Sequence, residues 1–561
     1  MRVLNKSFKT LERIFFDQNF SSDSTSSLGL WKGLIILLGS LLLFTGCHKK
    51  VRPIDENRQL LRLNIHTEPP TLDARKATDT SSISIIQMCF EGLMRRVPGG
   101  APQLALANRV KISEDLQTYT FYLRSANWSD GTPITAHDFE RSWKTILSPD
   151  FGSGFANDLY VLKNARKAKI GECPVEEIGV SAKGPLKLVV QLDHPVPYFL
   201  DLVASHSFLA VPTHIVEAEK RWADNSGPHF VGNGAYRLKE WRHHNHMVLE
   251  RNGEYWDHAA VRLEEIHLTI IEDETTELHM FESGELDWAG SPLSTLPTDA
   301  LQALADQDRL NTYPISGTYY YIFNVRTPPF DNLNLRRAFT YAINRKEIID
   351  NITQSKQQVA TSFVPPAIWE IATPVFEDNA IEKAREHFNL ALEEMGYTKA
   401  TFPPITLIYN KSAAHHKIAQ AIQEQWFQAF GLRVRLQNVE WKVFLDELAH
   451  GQFQIARMGG VASFQDPLTF LDQFRYESSR TNFSGWTNEQ FSSLLDQAEQ
   501  TTHPDKREQL LRQAEGLFIE ELPIAPIYYY TGTYIKKRYV KGIELSELSD
   551  ADFKFAFLEA Q

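Results

Sequence analysis

Arg457 is followed at once by Met458, Gly459 and Gly460, inside the stretch F-Q-I-A-R-M-G-G-V-A-S-F-Q-D-P that runs from Phe453 to Pro467. The chemistry this combination offers is recognition. A guanidinium presents a planar fork of donors that matches a carboxylate. Two glycines beside it strip a strand of side chains, which marks a bulge or a close backbone approach. A bare strand edge is what an extended peptide needs in order to add itself as one more strand. A glycine-rich loop between a strand and a helix fits the same residues, so both readings stand at this point. Catalytic patterns are missing: the sequence contains no G-x-S-x-G, H-E-x-x-H, P-loop or G-x-G-x-x-G. Gly152-Ser153-Gly154 reads as a small-residue turn. His243, His244 and His246 raise a metal site, but neighbours on a turn rarely converge on one ion, and a solvated loop is expected. No metal or cofactor is expected.

The elements around this stretch are mixed α and β. Ile405–Asn410 and Arg433–Val439 alternate as strands with a helical run, His416–Phe430, between them. A strand, a helix of that length and a second strand make a βαβ unit, hence a parallel pair. Trp441–Ala449 is a further helix leading into the opening stretch. Ile381, Ala384, Phe388, Ala391 and Met395 keep helical spacing, with Gly396 as a C-terminal stop. Tyr319–Asn324 and Ile527–Tyr530 read as strands, and helices are expected over Asn334–Arg345 and after Pro504. Nearer the N-terminus, Leu61–His66, Thr118–Leu123 and Leu186–Leu192 are strand-like. Gly234–Trp241 and Met247–Arg251 form the arms of a hairpin. Thr135 and Asp138 frame the start of a helix whose apolar face is Phe139, Trp143 and Ile146.

The chain has 561 residues, 43% of them hydrophobic and 23% charged. At roughly 150 residues per domain this predicts three or four lobes or domains. The net charge is −12 without a basic cluster, so nucleic acid is not an expected partner. Cys47, Cys89 and Cys173 are the only cysteines, too few for a disulfide scaffold and without a C-x-x-C pair. Free thiols are expected at Cys89 and Cys173. Gly33–Gly46 is an uncharged apolar run, short of the ~20 residues a bilayer demands and suited to a signal segment. Thr45 and Gly46 before Cys47 resemble a bacterial lipobox, with Phe44 in place of the usual aliphatic residue. Residues 1–46 are therefore expected to be a lipoprotein signal peptide and Cys47 the lipidated first residue. Loss of that segment, with its five Lys/Arg and three Asp/Glu, leaves the remainder more acidic by two charges.

In order along the chain stand T-E-P-P-T-L-D (Thr67–Asp73), W-S-D-G-T-P-I-T-A-H-D-F-E-R-S-W (Trp128–Trp143) and N-G-A-Y-R-L-K-E-W (Asn233–Trp241). They continue as L-E-R-N-G-E-Y-W-D (Leu249–Asp257), P-P-F-D-N-L-N-L-R-R-A (Pro328–Ala338) and Y-N-K-S-A-A-H-H (Tyr409–His416), and end in the stretch at Arg457. From about Leu61 to Tyr539 the chain resembles the oligopeptide-binding lipoproteins of bacterial ABC transporters, the family-5 extracellular solute-binding proteins. The resemblance implies an α/β fold, a two-lobed periplasmic-binding-protein clamshell (class II, large) with an additional N-terminal inserted domain. One lobe would combine residues 48–80, 205–305 and 520–561, the insert would be 81–204, and the second lobe 306–519. A monomer anchored on the periplasmic side of the cell envelope would close on a short peptide and pass it to ABC transporter permease subunits, with no catalytic step.

By the same resemblance, Glu68, Pro69 and Pro70 from one lobe and Gly459, Gly460 and Val461 from the other would pair with the peptide main chain. Trp441 and Phe155 would line side-chain pockets, and His415 with Arg457 would face the ligand's carboxylate end. Ser463 stands where the family carries an aspartate for the ligand's α-amine, Gly460 where it has an aromatic residue and Leu448 where it has an arginine. Asp466 or Glu68 would have to reach the amine, or the ligand offers none there. Relatives that bind dipeptides, muropeptides or nickel complexes keep a different solute open, as does a surface lipoprotein without a transport role.

Overall fold

The computed structural model describes residues 59–99, 101–370, 376–477 and 481–560, and the side chains of residues 441 and 442 fall outside that description. The expected signal segment 1–46 and the expected lipidation site Cys47 lie outside the described residues. Among the described residues no helix is long and apolar enough to cross a membrane.

Alternating apolar residues build the first sheet. Leu61 and Leu63 on Leu60–Asn64 are fully buried, and that strand runs parallel to Glu265–Thr269. The sheet continues antiparallel through His246–Arg251 to Tyr236–Arg242, the predicted hairpin. A second four-stranded sheet orders Ala107–Ile112, Thr118–Leu123, Lys187–Gln191 and Val180–Ala182. Helix Ala136–Ile146 packs on it and begins as predicted: the Thr135 amide donates to Asp138 Oδ2 at 2.8 Å, closing the capping box. Its Phe139, Trp143 and Ile146 are buried, and Trp143 Nε1 donates to the Phe208 carbonyl at 2.9 Å. One continuous core joins these two sheets. The two described thiols, Cys89 and Cys173, are free, and burial pushes the Cys89 pKa up.

The third sheet has seven strands, six of them in the order Trp288–Gly290, Ile524–Lys536, Asn311–Phe323, Ile455–Val461, Thr406–Asn410 and Arg435–Val439. The seventh, Gln358–Val359, pairs with Ile524–Lys536. Both faces of this sheet are covered. Tyr319, Tyr321 and Phe323 point into one core, while Tyr320 and Ile322 point into another. The period-2 alternation of a strand makes Y-Y-Y-I-F serve both sides at once. The predicted βαβ unit is present: Thr406–Asn410 and Arg435–Val439 are parallel, in register from Thr406↔Arg435 to Asn410↔Val439. Between them helix Ala413–Phe430 starts at the Ser412 cap and stops at Gly431, whose φ of 76° suits glycine. Gly396 ends helix Ile381–Met395 in the same way, with φ 71°.

Two strands are longer than the sequence pattern predicts. Asn311–Phe323 and Ile524–Lys536 each run 13 residues and pair antiparallel along most of their length. Pro314 and Gly317 break the apolar alternation of the first, and the pairing register slips between Pro314 and Thr318. Past that slip the pair reaches Trp288–Gly290, where Trp288 stacks on Tyr534 at 4.1 Å and joins the core of the first two sheets. These strands therefore carry the chain from one set of cores to the other.

Candidate functional site

The glycine-rich stretch is a strand, not a loop. Ile455–Val461 pairs without a bulge against Asn311–Phe323, from Phe323↔Ile455 to Gly317↔Val461. Its other side meets Thr406–Asn410 at only two positions, Leu407↔Ile455 and Ile408↔Ala456. From Arg457 to Val461 that edge has no partner strand among the described residues. The reason is geometric: beyond Ile408 the neighbouring strand stays in register with Arg435–Val439 and leaves Ile455–Val461 behind. Backbone donors and acceptors along this edge are open to a guest strand. The two glycines do different things. A Cβ on Gly459 would come within 2.2 Å of the Tyr530 hydroxyl, so its bareness admits that tyrosine. A Cβ on Gly460 would meet nothing within 4 Å, so its bareness leaves open space.

Arg457 sits at the start of the open edge among tyrosines. Its Cζ lies 4.7 Å from the Tyr319 ring centroid, and Nη2 donates to the Tyr530 hydroxyl at 3.2 Å. Tyr528 stacks on Tyr319 at 4.7 Å. Among the described residues Arg457 has no carboxylate within ion-pair distance, and its Nε is buried without a hydrogen-bond partner. The internal ion pair that would make it a structural residue is therefore not found there. A desolvated guanidinium among phenols, with no carboxylate beside it, is a group to which an anion could bind favourably. His415 shares Tyr319 with it, its Nδ1 3.2 Å from the hydroxyl. Burial and the charge of Arg457 hold His415 down at about 3, so the ring is neutral beside the phenol. The adjacent His416 is occupied elsewhere, against the Tyr409 hydroxyl at 2.5 Å.

Glu68, Pro69 and Pro70 follow the first strand of the first sheet as irregular backbone, with Pro69 buried and Pro70 exposed. The Glu68 carboxylate is fully engaged. It accepts from Trp241 Nε1 at 2.9 Å, from the His244 amide at 2.9 Å, and lies 2.8 Å from His243 Nδ1. The histidine turn is thus pinned by Glu68, and among the described residues no group of three candidate ligands could hold a metal ion. Asp466 is engaged too: both its oxygens accept from Arg507, at 2.7 and 2.9 Å. Both carboxylates considered for a ligand amine already have hydrogen-bond partners within the protein, and that of Asp466 is a guanidinium.

Ser463 is exposed just past the end of the open edge. Its amide donates to Thr469 Oγ1 at 3.1 Å, and its carbonyl accepts from Arg96 Nη2 at 3.0 Å. Phe155 is half-buried and packs edge-on against His206 at 4.3 Å. Trp441 opens helix Trp441–Ala449, and its side chain lies outside the described ones. Leu448 is fully buried in the core beneath. Sequence reasoning did not single out Tyr319, Tyr528 and Tyr530 as a surround for Arg457. The signal was present in the two tyrosine triplets, Tyr319–Tyr321 and Tyr528–Tyr530, but only strand pairing reveals that they meet.

The model of the bacterial extracellular solute-binding proteins, family 5 (middle), matches residues 101–482. The oligopeptide-binding protein OppA of Bacillus subtilis is 39% identical over 520 residues, covering 92% of this chain and 95% of that one. The dipeptide-binding protein DppE of the same organism is 33% identical over 519 residues, covering 91% and 94%. Among solved structures, the murein tripeptide binding protein MppA of Escherichia coli has a TM-score of 0.75 at 31% identity, covering 90% of this chain and 99% of its own. OppA of Haemophilus influenzae, in complex with RPPGFSPFR, gives a TM-score of 0.75 at 27% identity, with the same coverage. The fold is the two-lobed class II binding-protein architecture.

Proposed function

The chain belongs to the bacterial extracellular solute-binding proteins of family 5, and on that footing we propose that it is a peptide receptor serving an ABC-type importer. The observation that carries the reading is the unpaired edge Arg457–Val461 with an unpaired guanidinium at its head. A peptide lying antiparallel along this edge hydrogen-bonds through its main chain, which every sequence shares. Its carboxylate meets Arg457, with neutral His415 beside it. Side chains enter the open space at Gly460 and the surroundings of Phe155 and Trp441, where water completes their hydrogen bonds. From Arg457 to Ser463 is about 20 Å at the rise of an extended strand. Less the reach of side chains at both ends, that suits a ligand of roughly three to five residues.

In this reading residues 48–80, 205–305 and 520–561 act as one lobe, 81–204 as an insert and 306–519 as the second lobe. The long strands Asn311–Phe323 and Ile524–Lys536 serve both, and the register slip after Pro314 is the flexible point of a hinge. The ligand favours closure because it touches Glu68–Pro70 and the Arg457–Val461 edge together. Cys47 carries the lipid that anchors the monomer on the periplasmic side of the cell envelope, from where it serves its permease. No bond is made or broken in the process.

Mass spectrometry of the molecules released when the purified protein is denatured tests the reading. Short peptides of mixed sequence with free carboxyl ends are expected. A single non-peptide solute in stoichiometric amount would overturn it.

A further inference from the structure

The far end of the open edge has a feature that the peptide-receptor reading does not explain. Helix Phe199–Val203 packs against strand Met94–Arg95 and is led by Tyr198, whose ring stacks on Phe464 at 4.3 Å and 5°. That stack holds the helix beside Ser463. Asp201 projects from this helix, half-buried, in the neighbourhood of Arg96 and Asp466. Among the described residues its carboxylate has neither a hydrogen-bond donor nor an ion-pair partner.

The two charged groups that act on it, Arg96 and Asp466, are already engaged. Arg96 donates Nη1 to Asp550 at 2.7 Å and Nη2 to the Ser463 carbonyl. Arg95 is paired with Asp552. Arg507 holds Asp466, and Asp158 accepts from Ser207 Oγ at 2.8 Å. Both guanidiniums, Arg96 and Arg507, are thus committed to other carboxylates, and neither pairs with Asp201. A cavity of about 100 Å3 begins just past the C-terminal end of helix Phe199–Val203, bounded in part by Gln87, Arg96, Ala204, His206 and Asp550. His206 Nε2 is buried there without a hydrogen-bond partner. A half-buried acid without a partner and a buried ring nitrogen without one are polar groups that a donor from a ligand would satisfy.

We propose that Asp201 supplies the counter-charge for the free ammonium end of the ligand, in place of Ser463, Asp466 or Glu68. The proposal rests on the peptide-receptor reading, because it needs a guest whose other end lies at Arg457. The ligand's leading residue has the cavity beside His206 as room for its side chain. Burial raises Asp201 to about 6, as it would an acid whose cation is absent, and an ammonium would draw that value down.

Calorimetry with tri-alanine and N-acetyl-tri-alanine tests it, on the wild-type protein and on Asp201→Asn, which keeps the shape of the side chain. The variant is expected to bind tri-alanine about tenfold more weakly and the acetylated peptide unchanged. Wild-type affinity for tri-alanine should also fall as pH drops from 7 to 5, while that for the acetylated peptide stays level. Equal losses for both peptides, or none for either, would overturn the assignment to Asp201. Wild-type protein that binds neither peptide would instead overturn the receptor reading from which it starts.

Discussion

Arg457 and His415 carry the argument at the level of single residues, and each leads to a measurable effect. A buried guanidinium facing phenols loses solvation without gaining a counter-ion, so a ligand carboxylate should bind it strongly. Arg457→Ala is expected to weaken binding of an unmodified peptide by about 2 kcal/mol, roughly thirtyfold. A C-terminally amidated peptide should show the same loss on wild-type protein and no further loss on the variant, which calorimetry on the four combinations would resolve. His415 and His206 are held neutral by burial, at about 3 and about 4. In the unfolded chain both titrate near 6.5. Between those values the unfolded state binds more protons, so their contribution is intact above about pH 6.5 and is lost as pH falls toward 4. Buried acids with raised values, such as Asp201, act in the opposite sense. The informative quantity is therefore a difference: His206→Gln should unfold less readily than wild type does on acidification from pH 7 to pH 4, when denaturant midpoints are compared.

Among the elements, the strand Ile455–Val461 shows what periodicity can and cannot say. Gly459 and Gly460 look alike in sequence, yet one makes way for the Tyr530 hydroxyl and the other faces open space. Gly459→Val should overpack that contact, displace Tyr530 from Arg457 and cost about 1–3 kcal/mol of stability. Gly460→Ala should change stability by less than about 0.5 kcal/mol. Chemical denaturation of the two variants separates these outcomes. The helices with clear caps were legible: Thr135 and Asp138 announce Ala136–Ile146, and Gly396 and Gly431 close their helices where the spacing runs out. The parallel βαβ pair was legible from the length of its helix. The full length of Asn311–Phe323 was not, because Pro314 and Gly317 interrupt the alternation just where the strand bends between partners. Helices Thr80–Cys89, Glu274–Glu282, Thr298–Asp306 and Glu489–Gln500 were also not singled out. The approach of Arg96 and Tyr198 to Ser463 and Phe464 was invisible in the sequence, since both belong to segments remote from them and are brought there only by packing.

For the molecule as a whole, the central claim is that an elongated guest completes the seven-stranded sheet at Arg457–Val461 while touching the segment after the first strand. The two long antiparallel strands make this possible, because they tie the cores together and leave the edge accessible. Ligand binding then protects amides that no other strand covers. Hydrogen–deuterium exchange on the protein with and without a saturating unmodified tripeptide reads this directly. The account predicts slowed exchange across Arg457–Val461 and at Glu68. Unchanged exchange in both segments, with protection confined to some other surface, would contradict it.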